Sequence, residues 1–219
     1  MNRESSDMSD IIERMEALRT EASVCTKCVL SETRNTVVFG EGNPESPLMI
    51  IGEGPGATED ATGRPFVGRA GQLLDQALAE NCMSRKHVFI CNVIKCRACL
   101  IDGNSIKNRP PRIEEINACH PWLMQQMEIM KPLVILSLGA PSANEIIHPD
   151  FKITKERGLW FPTPYAKTAM AALHPAYVLR QMNQGDANAR ASLVRDIGAA
   201  KDKAKELKIE LKNSADFVL

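Results

Sequence analysis

Pro47-Leu48-Met49-Ile50-Ile51-Gly52 is an unbroken apolar run that leads directly into Gly52-Glu53-Gly54-Pro55-Gly56. A run this short and this apolar suits a strand covered on both faces. His87–Val93, Leu133–Leu138 and Ala169–Leu173 read the same way. Helical patterns separate these runs. Leu73, Leu74, Ala77 and Leu78 form a stripe within Gly68–Asn81, and a second pattern covers Arg112–Met130, where Pro121 is expected to disturb one turn. Gly139–Ile147 reads as a short helix, and the chain beyond His174-Pro175 reads as helical to about Leu211. Lys95–Pro111, rich in Arg, Asn and Lys, reads as a long loop. Strands alternating with helices predict an α/β fold: a three-layer α/β/α sandwich around a short, mostly parallel four-stranded sheet.

The rest of the chain is compatible with that domain. Its 219 residues are enough to bury a core without disulfides, and 44% hydrophobic with 25% charged residues is ordinary for a globular protein. Lys+Arg and Asp+Glu are both 27, which excludes strong global attraction to polyanions but not a local basic patch. The first 24 residues hold six acidic and three basic side chains. Asp10 and Glu13 have capping-box spacing, and Ile11, Met15, Leu18 and Ala22 follow at helical intervals. The opening MNRESSDMSD has no signal-peptide character, and no apolar run approaches the roughly 20 residues that span a bilayer. The expectation is a cytoplasmic protein, a monomer without membrane contact. Seven cysteines, an odd number without an export signal, fit reduced thiols or metal ligands better than a disulfide scaffold.

The unusual sequences stand at strand ends: Gly52–Gly56 after the first, Asn92 in the second, His174 after the fourth. Ligands of parallel sheets bind at the carboxyl ends of strands, so these residues are expected to share one cleft. The glycines allow close approach of backbone to a ligand, but no Lys-Ser/Thr pair follows to make a Walker A loop.

The run GEGPGATEDATGRPFVGRAGQLL, from Gly52 to Leu74, resembles the family 4 uracil-DNA glycosylases, the iron–sulfur branch of that superfamily. Asn92-Val-Ile-Lys-Cys96 and His174-Pro-Ala-Tyr-Val-Leu-Arg180 match two further motifs in the same order, and the resemblance covers about residues 20–200. It implies a monofunctional enzyme that hydrolyses the bond between uracil and deoxyribose, leaving free uracil and an abasic site in uracil-containing DNA. It divides the chain into a first helix at 1–24, a catalytic domain at 25–200 and a helix end with a tail at 201–219. Carried over residue by residue, it makes Gly52, Gly54 and Gly56 substrate-binding, stacks Phe66 on the base, and gives Asn92 the reading of uracil N3–H and O4. His174 faces O2, where a donor stabilises the charge that appears as the bond breaks. Glu53 positions water and offsets sugar charge. Glu59 competes for that role or guards against the thymine methyl, and Asp60 reads as a loop residue.

The same resemblance implies a [4Fe–4S] cluster on Cys25, Cys28, Cys96 and Cys119. The spacing departs from the family here. Twenty-two residues lie between Cys96 and Cys119, and Cys96-Arg-Ala-Cys99 replaces Cys-Arg-Pro-Pro, so Cys99 rivals Cys96 as third ligand. The Cys-x2-Cys pair alone suits zinc equally well. Cys82 and Cys91 are expected to be buried. Arg85–Arg112 holds seven Lys/Arg and one Asp, a candidate phosphate surface in which Lys107 and Arg109 stand out. Tyr177 and Arg180 are placed where the chain would enter the duplex. No lysine occupies a recognised Schiff-base motif, so strand cleavage is not expected. A covalent link to DNA, as in a related branch, is disfavoured because Lys95–Pro111 has no His. The alternatives are a non-catalytic iron–sulfur DNA-binding protein of this fold, against which the intact Glu53, Phe66, Asn92 and His174 count, and a metal-bound redox carrier.

Overall fold

A computed structural model of the chain describes residues 3–103 and 105–216. In chain order the elements are α1 (Arg3–Ser23), β1 (Glu41–Gly42), β2 (Leu48–Gly52), α2 (Ala57–Thr62), α3 (Arg69–Glu80), β3 (Phe89–Asn92), β4 (Cys99–Asp102) and β5 (Ser105–Asn108). They continue as α4 (Ile113–Met130), β6 (Val134–Leu138), α5 (Ala140–Ile146), α6 (Ile153–Glu156), β7 (Trp160–Thr163), β8 (Ala166–Ala172), α7 (Pro175–Asn183) and α8 (Asn188–Asp216).

The main sheet has six strands in the order β1-β3-β2-β6-β8-β7. Its inner four, β3-β2-β6-β8, are parallel, and they are the four strands expected from the apolar runs. The expected count of four is corrected by two antiparallel edge strands, β1 against β3 and β7 against β8. β2, β3 and β6 are buried along their whole length, as strands with helices on both faces must be. Alternate residues serve opposite cores. Met49 and Ile51 pack with Met15, Leu18, Ala22 and Leu123 of α1 and α4, whereas Leu48 and Ile50 pack with Leu74, Leu78, Leu193 and Ile197 of α3 and α8. The result is the expected three-layer sandwich.

Several local readings change. α1 begins at Arg3, so Asp10 lies inside the helix and pairs with Arg14 at 3.3 Å instead of capping it. α4 runs unbroken through Pro121. α8 is continuous across position 200, with Ala204 buried; the end of the expected tail, 217–219, lies outside the described residues. The stretch 95–111 contains the antiparallel hairpin β4–β5. Cys91 is buried, but Cys82 is exposed, held at φ 54° in the turn after α3.

The loop between α2 and α3 carries the main strain. Phe66 has φ 52°, a left-handed conformation uncommon for a bulky residue and costing on the order of 1–3 kcal/mol. Arg85 holds it by donating to the carbonyl oxygens of Pro65, at 2.8 Å, and Phe66. Gly71 on α3 lies directly beneath. Alanine in place of a helical glycine ordinarily stabilises by about 1 kcal/mol, but a Cβ at Gly71 would lie 1.6 Å from the Phe66 carbonyl oxygen. Gly71→Ala should therefore lower the melting temperature in a thermal unfolding scan. A rise would show that the Phe66 loop yields freely.

Candidate active site

A cleft of about 270 Å³ opens at the carboxyl ends of β2, β3 and β8. Its wall includes Glu53, Gly54, Gly56, Glu59, Phe66, Asn92 and His174, so residues far apart in sequence meet as the strand-end argument expects. Gly52 lies beneath the cleft, not in its lining. A Cβ there would stand 2.5 Å from both Asn92 Oδ1 and Phe66 Cζ, so glycine at this strand end lets ring and amide close over it.

Asn92 ends β3 and is only 2% exposed, yet its Oδ1 has no hydrogen-bond partner among the described residues. A buried amide oxygen left unpaired costs about 1–3 kcal/mol, and this one belongs to a side chain that lines the cleft. Its backbone is fixed from behind, where Lys95 Nζ donates to the Asn92 carbonyl at 2.7 Å and to Gln126 Oε1 at 2.6 Å.

His174 is the N-cap of α7. Its Nδ1 accepts from the Ala176 amide at 3.1 Å, which leaves the Nε2 as the ring nitrogen carrying hydrogen in the neutral imidazole. Burial and the nearby Arg180 push its pKa down to about 4, against a smaller opposing pull from Glu59. The imidazole stands 5.8 Å from the Phe66 ring, centroid to centroid. Burial pushes the Glu53 carboxyl up from its ordinary value. Glu59 is occupied differently. Its Oε1 accepts from the amides of Val67 and Gly68, both at 2.9 Å, tying the Phe66 loop and the start of α3. Asp60 turns away from the cleft and accepts from Asn35 Nδ2 at 2.6 Å and the Asn35 amide at 2.9 Å.

A second, narrow cavity lies on the α1/α4 side. Cys25, Cys28, Cys96 and Cys119 all line it, between Leu30 and Trp122. Cys99 stands outside it on β4, which separates the two rivals for the third thiol position. Three donors point at these sulfurs: Lys95 N to Cys119 at 3.1 Å, Trp122 Nε1 to Cys25 at 3.2 Å, and Arg34 to Cys96 at 3.5 Å. Burial pushes the Cys96 thiol up to about 11, partly opposed by Arg34. Among the described residues no three His, Cys or carboxylate side chains converge closely enough to hold a single metal ion.

Of the basic residues picked out, Lys107 is exposed on β5. Arg109 lines the cleft, and its guanidinium forms a two-pronged pair with the buried carboxylate of Glu115, at 2.7 and 2.5 Å. Tyr177 and Arg180 are both exposed on α7, with the guanidinium 5.9 Å from the ring centroid. Sequence reasoning missed Arg85, the clasp of the Phe66 loop, and gave no role to Lys95, although Lys95 stands inside the quoted Asn92–Cys96 motif. It also missed Ala98, Asn108 and Pro111, which complete the outer wall of the cleft.

Residues 39–198 match the family profile described as Uracil DNA glycosylase superfamily. A type-4 uracil-DNA glycosylase of Thermotoga maritima is 40% identical over 190 residues, covering 86% of this chain and 94% of its own. One of Sulfurisphaera tokodaii is 38% identical over 180 residues, covering 78% and 79%. One of Pyrobaculum aerophilum is 48% identical over 123 residues, covering 56% and 59%.

The lowered pKa of His174 makes a prediction of its own. Between its ordinary value of 6.5 and about 4, the unfolded chain takes up a proton that the folded chain refuses. This group's contribution to stability is therefore present at neutral pH and lost as pH falls through that window. An NMR titration of the imidazole should find it neutral from pH 8 down to about 5. A midpoint near the ordinary value would contradict the desolvation of the imidazole in the cleft wall.

Proposed function

The chain belongs to the type-4 uracil-DNA glycosylases of the uracil DNA glycosylase superfamily, and on that premise we propose that its cleft hydrolyses the N-glycosidic bond of uracil in DNA. The observation that carries this reading is the buried, unpartnered Oδ1 of Asn92, a side chain that lines the cleft. Uracil N3–H donates to that oxygen, and uracil O4 accepts from the Asn92 amide nitrogen. Cytosine offers an acceptor at ring N3 and a donor at C4, so both contacts become mismatches. The extruded base is read in this pocket because its edge is inaccessible in the stack.

Phe66, held over Gly52 by Arg85 and by the Glu59 contacts, supplies the stacking face. His174 Nε2–H donates to uracil O2. Negative charge grows there as the bond to C1′ breaks, so a donor fixed in advance lowers the barrier. A neutral imidazole that resists protonation suits this task, and the mechanism needs no proton transfer from it. Glu53 orients the attacking water and offsets positive charge on the sugar. Water adds to C1′, the electron pair of the broken bond leaves with uracil N1, and the products are uracil and an abasic site. Glu59 acts as a positioning residue for the Phe66 loop. Lys107, Tyr177 and Arg180 face the DNA, and so does Arg109 from the cleft wall, its guanidinium fixed by Glu115.

The four-cysteine cavity suits a [4Fe–4S] cluster. It has the thiolate set such clusters use, N–H donors aimed at three of the sulfurs, and no histidine in its wall. Lys95 supplies a further fit. Its Nζ is buried with neutral oxygens as its hydrogen-bond partners, and a thiolate-bound cluster on the next residue would provide the counter-charge a buried cation needs. The cluster's contribution is structural: it ties the Cys25–Cys28 turn to β3's exit and to α4.

Two measurements follow. The purified protein should be brown with about four iron and four sulfide per chain. Cys25→Ala, Cys28→Ala, Cys96→Ala and Cys119→Ala should each bleach it while Cys99→Ala should not; zinc in place of iron, or bleaching by Cys99→Ala alone, would overturn the ligand set. In single-turnover cleavage at saturating protein, His174→Ala should slow uracil release on the order of 100-fold with little change in DNA affinity. Asn92→Asp should lose a factor corresponding to about 1–3 kcal/mol on uracil and shift preference toward cytosine. Loss of affinity at an unchanged rate in His174→Ala would make the histidine a binding residue and sink the mechanism.

A further inference from the structure

The hairpin β4–β5 carries three exposed large apolar side chains beside the cleft. Leu100, Ile101 and Ile106 are 56%, 56% and 52% exposed. Its register separates them. Ile101 is paired with Ile106 and Cys99 with Asn108, whereas Leu100 is paired with Lys107. Side chains alternate across a strand, so Ile101, Ile106 and Asn108 share one face and Leu100 and Lys107 the other. Asn108 lines the cleft beside Gly56, its Nδ2 within 3.6 Å of where a Cβ on Gly56 would lie. The Ile101–Ile106 pair therefore continues the cleft wall outward, about 7 Å beyond Asn108 at two residues of strand rise.

Resting on the reading of the cleft as a uracil site, we infer that Ile101 and Ile106 form an apolar platform for the base of the nucleotide next to the extruded uracil, in the same strand. Two observations select this occupant. The platform is continuous with the cleft that receives the uracil, so the flanking nucleotide must pass over it. The opposite face presents Lys107, whose charge can reach a phosphate while the apolar face meets the base. Removing a base from the stack exposes its neighbour's face, and an aliphatic pair fixed on a hairpin covers that surface.

The test uses the intact, cluster-bearing protein and a duplex containing 2′-fluoro-deoxyuridine, which resists cleavage, with the fluorescent base 2-aminopurine beside it in the same strand. The variant Ile101→Thr/Ile106→Thr keeps β-branched residues in the strands and should melt like the wild type. It should bind this DNA about 5- to 20-fold more weakly, in line with the apolar contact removed. Its 2-aminopurine change should be largely lost, and its saturated cleavage rate on ordinary uracil DNA should stay near normal. Leu100→Thr, on the other face, should behave as wild type. Equal affinity and signal in wild type and double variant, an equal effect from Leu100→Thr, or a signal only from a probe in the opposite strand would overturn the platform. So would wild-type dimers in sedimentation that the double variant abolishes, because the pair would then be a self-association surface. Failure of the wild type to release uracil at all would instead count against the site reading itself.

Discussion

A single buried amide oxygen without a partner constrains most of what surrounds it. Asn92 ends a fully buried strand, where an unpaired polar atom is costly, and no group among the described residues satisfies it. It does much to hold it in place. Gly52 clears the space beside it, Lys95 pins its carbonyl, and Gln126 anchors Lys95 while donating to the Phe39 carbonyl at 2.9 Å. The strained Phe66 loop is secured from two directions, by Arg85 and Glu59, so the aromatic ring stays above the same point. Preorganisation of this kind moves the cost of ordering the site from the reaction to folding.

The same run of residues joins the two cavities. Asn92 lines the cleft, Lys95 is buried between the cavities, and Cys96 lines the cavity with the other three thiols. Any group that organises the thiols also fixes the exit of β3, and with it the backbone of Asn92. A cluster held by these thiols would thereby act on recognition without touching the base. Such a group would also supply the counter-charge that the buried Lys95, bonded to neutral oxygens, otherwise lacks.

The inner sheet was legible because each of its strands is a short apolar run buried on both faces, and the strand-end motifs placed the cleft before any coordinates. The edge strands were not. β1 has two residues, and β7 contains Pro162, which an edge tolerates but which masks a strand pattern. The hairpin hid behind its polar content. Its Asp102-Gly103 step is a turn signal, and the left-handed Gly103 at φ 54° confirms the bend, but exposed isoleucines give no burial pattern to read. Arg85 could not be found from sequence at all, since its contacts to Pro65 and Phe66 arise only when α3 and β3 pack. The ties of Glu59 Oε1 to the Val67 and Gly68 amides were hidden for the same reason, since they form only when the loop folds back on α2.

On the proposed reading, the Asn92 pocket selects uracil by its hydrogen-bonding edge. Its most direct test is base release by the unmodified protein from matched oligonucleotides carrying uracil, thymine or cytosine at one position, followed by chromatography of the freed base. The account predicts free uracil and an intact abasic strand, with thymine and cytosine retained. Release of cytosine at a rate comparable to uracil, or no release of uracil by protein with its full iron content, would contradict it.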